Sequence, residues 1–208
     1  KILRKKINKY RSNPIRKEAL VDSLMMLHEM RIATYPKYII PAKTNKAMDM
    51  MTFSSKGNEE EVFAVLADAM DAAKEKTSII IPVRYMGYAN DLYKSGVLSA
   101  EDVRNAYNKA YGIAEMVEKV KPSQSVTDAK KDIENLLMIS GVASCENLVE
   151  MFTPRYEANP TDKNMLGNII AMLSASNCMD ADLFVNAVES MHKLEPSHNS
   201  AYLLYKLY

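Results

Sequence analysis

Apolar residues recur at steps of three and four along nearly the whole chain, the spacing that gathers them on one face of an α-helix. One stripe runs through Ala19, Leu20, Leu24 and Leu27, another through Val62, Leu66, Ala69, Met70 and Ala73. A third runs through Val103, Ala106, Tyr107, Ala110, Ala114 and Val117, and a fourth through Leu166, Ile169, Ile170 and Leu173. The run Ile79 to Val83 has strand propensity, but Tyr85, Tyr88, Ala89 and Leu92 continue it at helical spacing and no partner strand is seen elsewhere. Pro82 then falls near a first turn, where a missing N–H costs least. The pattern predicts about ten amphipathic helices and no sheet.

Punctuation between the stripes supports the same reading. Pro14 starts a helix and Pro36 stops it, because the residue before a proline avoids the helical region. A second helix is expected over Ala42 to Phe53, followed by a loop through Ser54 and Gly57. Asn58, Ser99, Ser144, Asp162 and Asp180 stand where helix caps are expected, and Ser99 with Asp102 has the spacing of a capping box. Pro154 falls inside a helical pattern as an expected kink. Pro122, Pro160 and Pro196 each close a helix and lie 38 and 36 residues apart. A recurrence of that size marks a helical solenoid, here an all-α α-α superhelix of antiparallel helix pairs. The units fall at 1–57, 58–122, 123–160 and 161–196, with 197–208 opening another; the chain reads as a single repeat domain trimmed at both ends.

Composition changes this picture little. The 208 residues are 48% hydrophobic and 25% charged, enough for a proper core under an ordinary surface. Net charge is +1, which gives no general attraction to nucleic acid or anionic membrane. Eight of the first 17 residues are basic, but no aromatic or glycine pattern suited to nucleic acid is interleaved. No apolar run is long enough to span a bilayer.

The run from Tyr88 through Asn90 and Leu92 to Gly96, followed by Ala106, Tyr107 and Ala110, resembles a tetratricopeptide repeat. The ending Lys193-Leu194-Glu195-Pro196 and the restart at Ala201 and Tyr202 resemble the same family. Tyr85, Ala89, Leu92 and Gly96 stand where the family places a first-helix aromatic, a small packing residue, an aromatic and a turn glycine. The helix Ala19 to Leu24, ahead of a cysteine-bearing helix pair, is similar to tetratricopeptide-like proteins of Gram-negative cell envelopes. The resemblance implies a protein-interaction scaffold without catalysis or cofactor, binding a protein or peptide, in the periplasm or at the outer membrane. A cytoplasmic location is the alternative.

Candidate chemistry is sparse. His28, His192 and His198 lack a His or Cys at metal-ligand spacing, and His28 and His192 read as surface residues. No phosphate loop, dinucleotide motif or nucleophile elbow is present. An all-α enzyme with a site gathered from several helices, or nucleic-acid binding through the basic start, are the competing functions. The 15 methionines suit either an adaptable surface or core filling, and most stand at stripe positions. Met86, Asn90, Tyr93 and Lys94 fall on the side that the family turns toward its groove, and an amide, a phenol and an ammonium there suit an extended peptide. Cys145 opens one helix and Cys178 follows its partner. Antiparallel packing at about 8–10 Å brings such ends within disulfide reach, which points to an oxidising compartment.

Overall fold

The computed structural model describes residues 2–53 and 58–207. Among them the chain forms eleven α-helices and two short 3-10 turns, with no strand. The all-α expectation holds. Contacts divide the chain into two compact units, Lys1–Val142 and Ala143–Tyr208. The first contains α1 (Ile2–Lys9), α2 (Pro14–Thr34), α3 (Ile39–Phe53), α4 (Glu59–Ala73), α5 (Ile80–Lys94), α6 (Ala100–Val120) and α7 (Gln124–Ser140). The second contains α8 (Cys145–Ala158), α9 (Lys163–Ala175), α10 (Asp182–Leu194) and α11 (His198–Leu207). The expected loop at Ser54 to Gly57 lies outside the described residues.

Local sequence explains most boundaries. Asn13 caps α2 by accepting the Arg16 N–H at 3.1 Å, and Pro14 occupies the first turn. Ser99 with Asp102 and Ser144 with Asn147 form reciprocal capping boxes at α6 and α8. Asp162 accepts the Asn164 and Met165 N–H groups at α9. Helix α5 absorbs the Ile79–Val83 run, and Pro82 sits in its first turn as expected. Pro41 is likewise tolerated in a first turn, so α3 begins at Ile39, three residues earlier than the apolar pattern alone suggests. Two expected caps differ. Asn58 precedes α4 without a side-chain cap bond, and α10 follows Ala181 rather than Asp180. The chain leaves α9 through a left-handed Asn177 (φ 57°), and that turn ends one residue later than the acid would need.

Helices pack on their neighbours in sequence: α2 on α3, α3 on α4, α4 on α5, α5 on α6, and α6 on α7. In the second unit α9 packs on α8 and α10, and α10 on α11. Two further contacts, α5 with α7 and α8 with α10, join every second helix, the relation expected of stacked hairpins. Helix α1 docks through Ile7, which joins Leu24 and Phe53 in a small core flanked by Leu3, Leu20, Val21 and Met25.

Inside the first unit Tyr85 stacks on Phe63 with ring centroids 4.3 Å apart. Burial, and secondarily the Asp71 carboxylate, pushes the Tyr85 phenol up to about 12. An unfolded tyrosine ionises near pH 10, so between about 10 and 12 the unfolded chain sheds a proton that the folded chain keeps. Stability is therefore full below pH 10 and falls as pH rises through that window. Urea midpoints on either side of pH 10 should drop further for the wild type than for Tyr85→Phe. Equal drops would mean that Tyr85 ionises as freely folded as unfolded.

Candidate functional site

The side chains that carry the most chemistry are polar groups drawn from α1, α2 and α3. Asp49 stands in the run Ala47 to Met51, and the α3 face that buries Ala47, Met50 and Phe53 also buries this carboxylate. A buried charge needs partners. Arg4 of α1 supplies two, with Nε at 2.7 Å from Oδ1 and Nη2 at 2.9 Å from Oδ2. His28 of α2 supplies the third, its Nε2 at 2.8 Å from Oδ2. The expectation that His28 lies on the surface is thus corrected: it is buried because α3 brings a carboxylate to it. Its Nδ1 makes no hydrogen bond within the protein. Asn45, one turn before Asp49, accepts from Arg4 Nη2 at 3.2 Å and donates to the Pro41 carbonyl at 2.7 Å.

That network fixes one wall of an open notch of about 350 Å³ between the end of α2 and the start of α3. Pro36 forces Tyr35 out of the helical region (φ −126°, ψ 86°), and the following 3-10 turn brings Tyr38 back edge-on to it. Their centroids lie 6.4 Å apart at 77°, and the two residues remain 56% and 60% exposed. Pro41, Ala42 and Asn45 line the α3 side, and Arg31 lines the α2 side. Lys43 and Lys46 of the same hairpin pair with Asp68 and Glu29. Arg31 and Lys37 are exposed and have no carboxylate partner among the described residues. The notch therefore offers two aromatic faces, an aliphatic floor and an unneutralised guanidinium.

The face proposed from sequence on α5 is a different matter. Met86 and Asn90 are buried, Tyr93 is half-buried and Lys94 is exposed. Asn90 Nδ2 donates to the Leu136 carbonyl of α7 at 2.7 Å, while its Oδ1 has no partner within the protein. The reason is packing: α4, α6 and α7 all press on α5, so the side assigned to a groove is covered by α7. Met86 and Asn90 are corrected from contact surface to core.

Cys145 and Cys178 do meet. Their sulfurs lie at bonding distance, 2.09 Å, and their Cα atoms 5.5 Å apart, joining the first turn of α8 to the turn after α9. Elsewhere in this unit His192 Nδ1 lies 2.8 Å from Ser200 Oγ, a pairing that suits a nucleophile and its base. Ser200 is buried, however, and its hydroxyl is already bonded to the Ser197 N–H and side chain, completing the capping box in which Ser197 caps α11. Among the described residues no group of three or more His, Cys, Asp and Glu is placed to hold a metal ion, and no helix is long and apolar enough to cross a membrane.

Asp49 is the residue that sequence reading missed. The one available signal was a carboxylate standing among Ala47, Met48, Met50 and Met51 in a helix whose apolar face had to be buried. Compared with known proteins, the chain matches no family model, no curated protein and no solved structure.

Proposed function

We propose that the chain is a non-catalytic, tetratricopeptide-like helical repeat module that binds a protein or peptide in the cell envelope, and that the Arg31–Tyr35–Tyr38 notch is its contact site. The carrying observation is the notch itself. Tyrosine and arginine are among the side chains that most often dominate binding energy, and here they stand exposed in a notch one wall of which, at Asn45, is fixed by the ionic network. The repeat reading is supported by the contacts between alternate helices, by the fully buried Ala89 and by Gly96, whose positive φ of 80° turns α5 toward α6. The disulfide supports an oxidising compartment. An apolar or aromatic side chain next to an acidic one on the partner would match the tyrosines and the free guanidinium.

Selection of a random displayed peptide library on the wild-type protein, with counter-selection on Tyr38→Ala, tests this. Enriched peptides should pair an apolar residue with a nearby acid and bind Tyr38→Ala and Arg31→Ala roughly tenfold or more weakly. Peptides that bind all three proteins equally would remove the notch as the site.

A further inference from the structure

We propose that a second surface, the methionine-lined groove between α2 and α4, binds a basic amphipathic helix of a partner protein. Of the 15 methionines, Met50, Met70, Met86 and Met151 are buried in the core, and four are exposed. Two of the exposed ones stand together on α2. Met26 and Met30 are 66% and 62% exposed, and Met25 is half-buried beside them. Asp22, Met26 and Met30 follow one another at four-residue steps and so share one row of the helix surface. Together with Glu61 in the first turn of α4, they line an open groove of about 410 Å³.

The charge of the groove selects the occupant. Lys46 reaches it from α3 but is ion-paired with Glu29, which cancels both. Asp22 and Glu61 have no cationic partner among the described residues, so the lining is apolar and net negative. Anionic lipid and nucleic acid are repelled by such a lining. An extended strand has no exposed sheet edge to hydrogen-bond among the described residues, and it would lose the main source of affinity in that mode. A helix satisfies its own backbone and presents apolar side chains at i, i+4 and i+7, a continuous stripe that can lie along the Met26–Met30 row. Unbranched thioethers rearrange around aliphatic side chains of different shape, which suits a moving, replaceable partner better than a fixed core. Lysines or arginines flanking the partner's apolar stripe meet Asp22 and Glu61.

The test is fluorescence anisotropy with three labelled synthetic peptides: a leucine–lysine amphipathic helix, its scrambled isomer, and the same helix with glutamate for lysine. The amphipathic cationic helix should bind at least about tenfold more tightly than either control. Asp22→Lys with Glu61→Lys, and separately Met26→Ser with Met30→Ser, should each weaken it by about tenfold at unchanged thermal stability, since all four positions are exposed. Undiminished binding to Met26→Ser/Met30→Ser, equal binding of the scrambled lysine peptide, or no binding would overturn the proposal. So would self-association of the chain that the methionine substitutions abolish, because the groove would then be covered by a second copy.

Discussion

Replacing Asp49 with alanine is expected to destabilise the N-terminal unit by about 3–5 kcal/mol, the usual range for removing one partner from a buried ionic cluster. The residue binds both Arg4 and His28, and both Asp49 and His28 are almost wholly inaccessible. Without the carboxylate, Arg4 can swing into solvent from its 42% exposed position, but His28 cannot. Its ring would then carry two unpartnered nitrogens in the interior, where it carries one in the wild type. A shape-matched apolar pair, His28→Leu with Asp49→Leu, removes the orphaned groups along with the bridge. It should lie well above Asp49→Ala in stability. Urea unfolding of the three proteins decides the matter. A loss below about 1 kcal/mol for Asp49→Ala would place the cluster in contact with water. Because Asn45 hangs on Arg4, the same substitution should also loosen the notch, so weakened peptide binding should accompany the stability loss.

Removal of the Cys145–Cys178 bridge is the second large effect. The cysteines are 33 residues apart in sequence, and closing a loop of that length is worth roughly 3–4 kcal/mol through the entropy of the unfolded chain. The cost falls on the smaller unit, Ala143–Tyr208, whose first helix carries Pro154 in its interior. Cys145→Ser with Cys178→Ala should therefore lower the unfolding midpoint of that unit and leave the alkaline behaviour of Tyr85 in the first unit untouched. The fully reduced wild type should unfold together with the variant. If reduction left the midpoint where it was, the bridge would contribute nothing to the fold.

Helix positions and types were legible because amphipathic spacing, prolines and caps are all local signals. Ser99 with Asp102 announces α6 from four residues of sequence, and the pairing of Cys145 with Cys178 follows from the helix ends on which they stand. The site was not legible, for a physical reason visible in two residues. Asn90 and Asp49 both lie on helices whose buried arc is wider than a single stripe. Asn90 is covered by α7 and not only by the adjacent helices, and Asp49 is covered by α2 and by Arg4 from α1. Periodicity within one helix shows which face is most apolar. It does not show how many neighbours press on it, so a polar residue at the margin of a stripe can be read as solvated when it is sealed. His28 was misread in the same way, since its partner lies 21 residues away and on another helix.

The asymmetry of the bridge also bears on its chemistry. Cys145 belongs to an exposed first turn, whereas Cys178 is completely enclosed. A reducing thiolate reaches only the outer sulfur. Attack there must form the mixed disulfide on Cys145 and expel Cys178 as a buried thiolate beside the Ser176 carbonyl oxygen, 3.3 Å from its sulfur, where it is a poor leaving group. Exchange is thus slowed at the departure of the inner sulfur, however reducing the surroundings. The bond is therefore a one-sided latch: small thiols meet it at Cys145 alone, and the mixed disulfide of a partial reduction is expected on that residue.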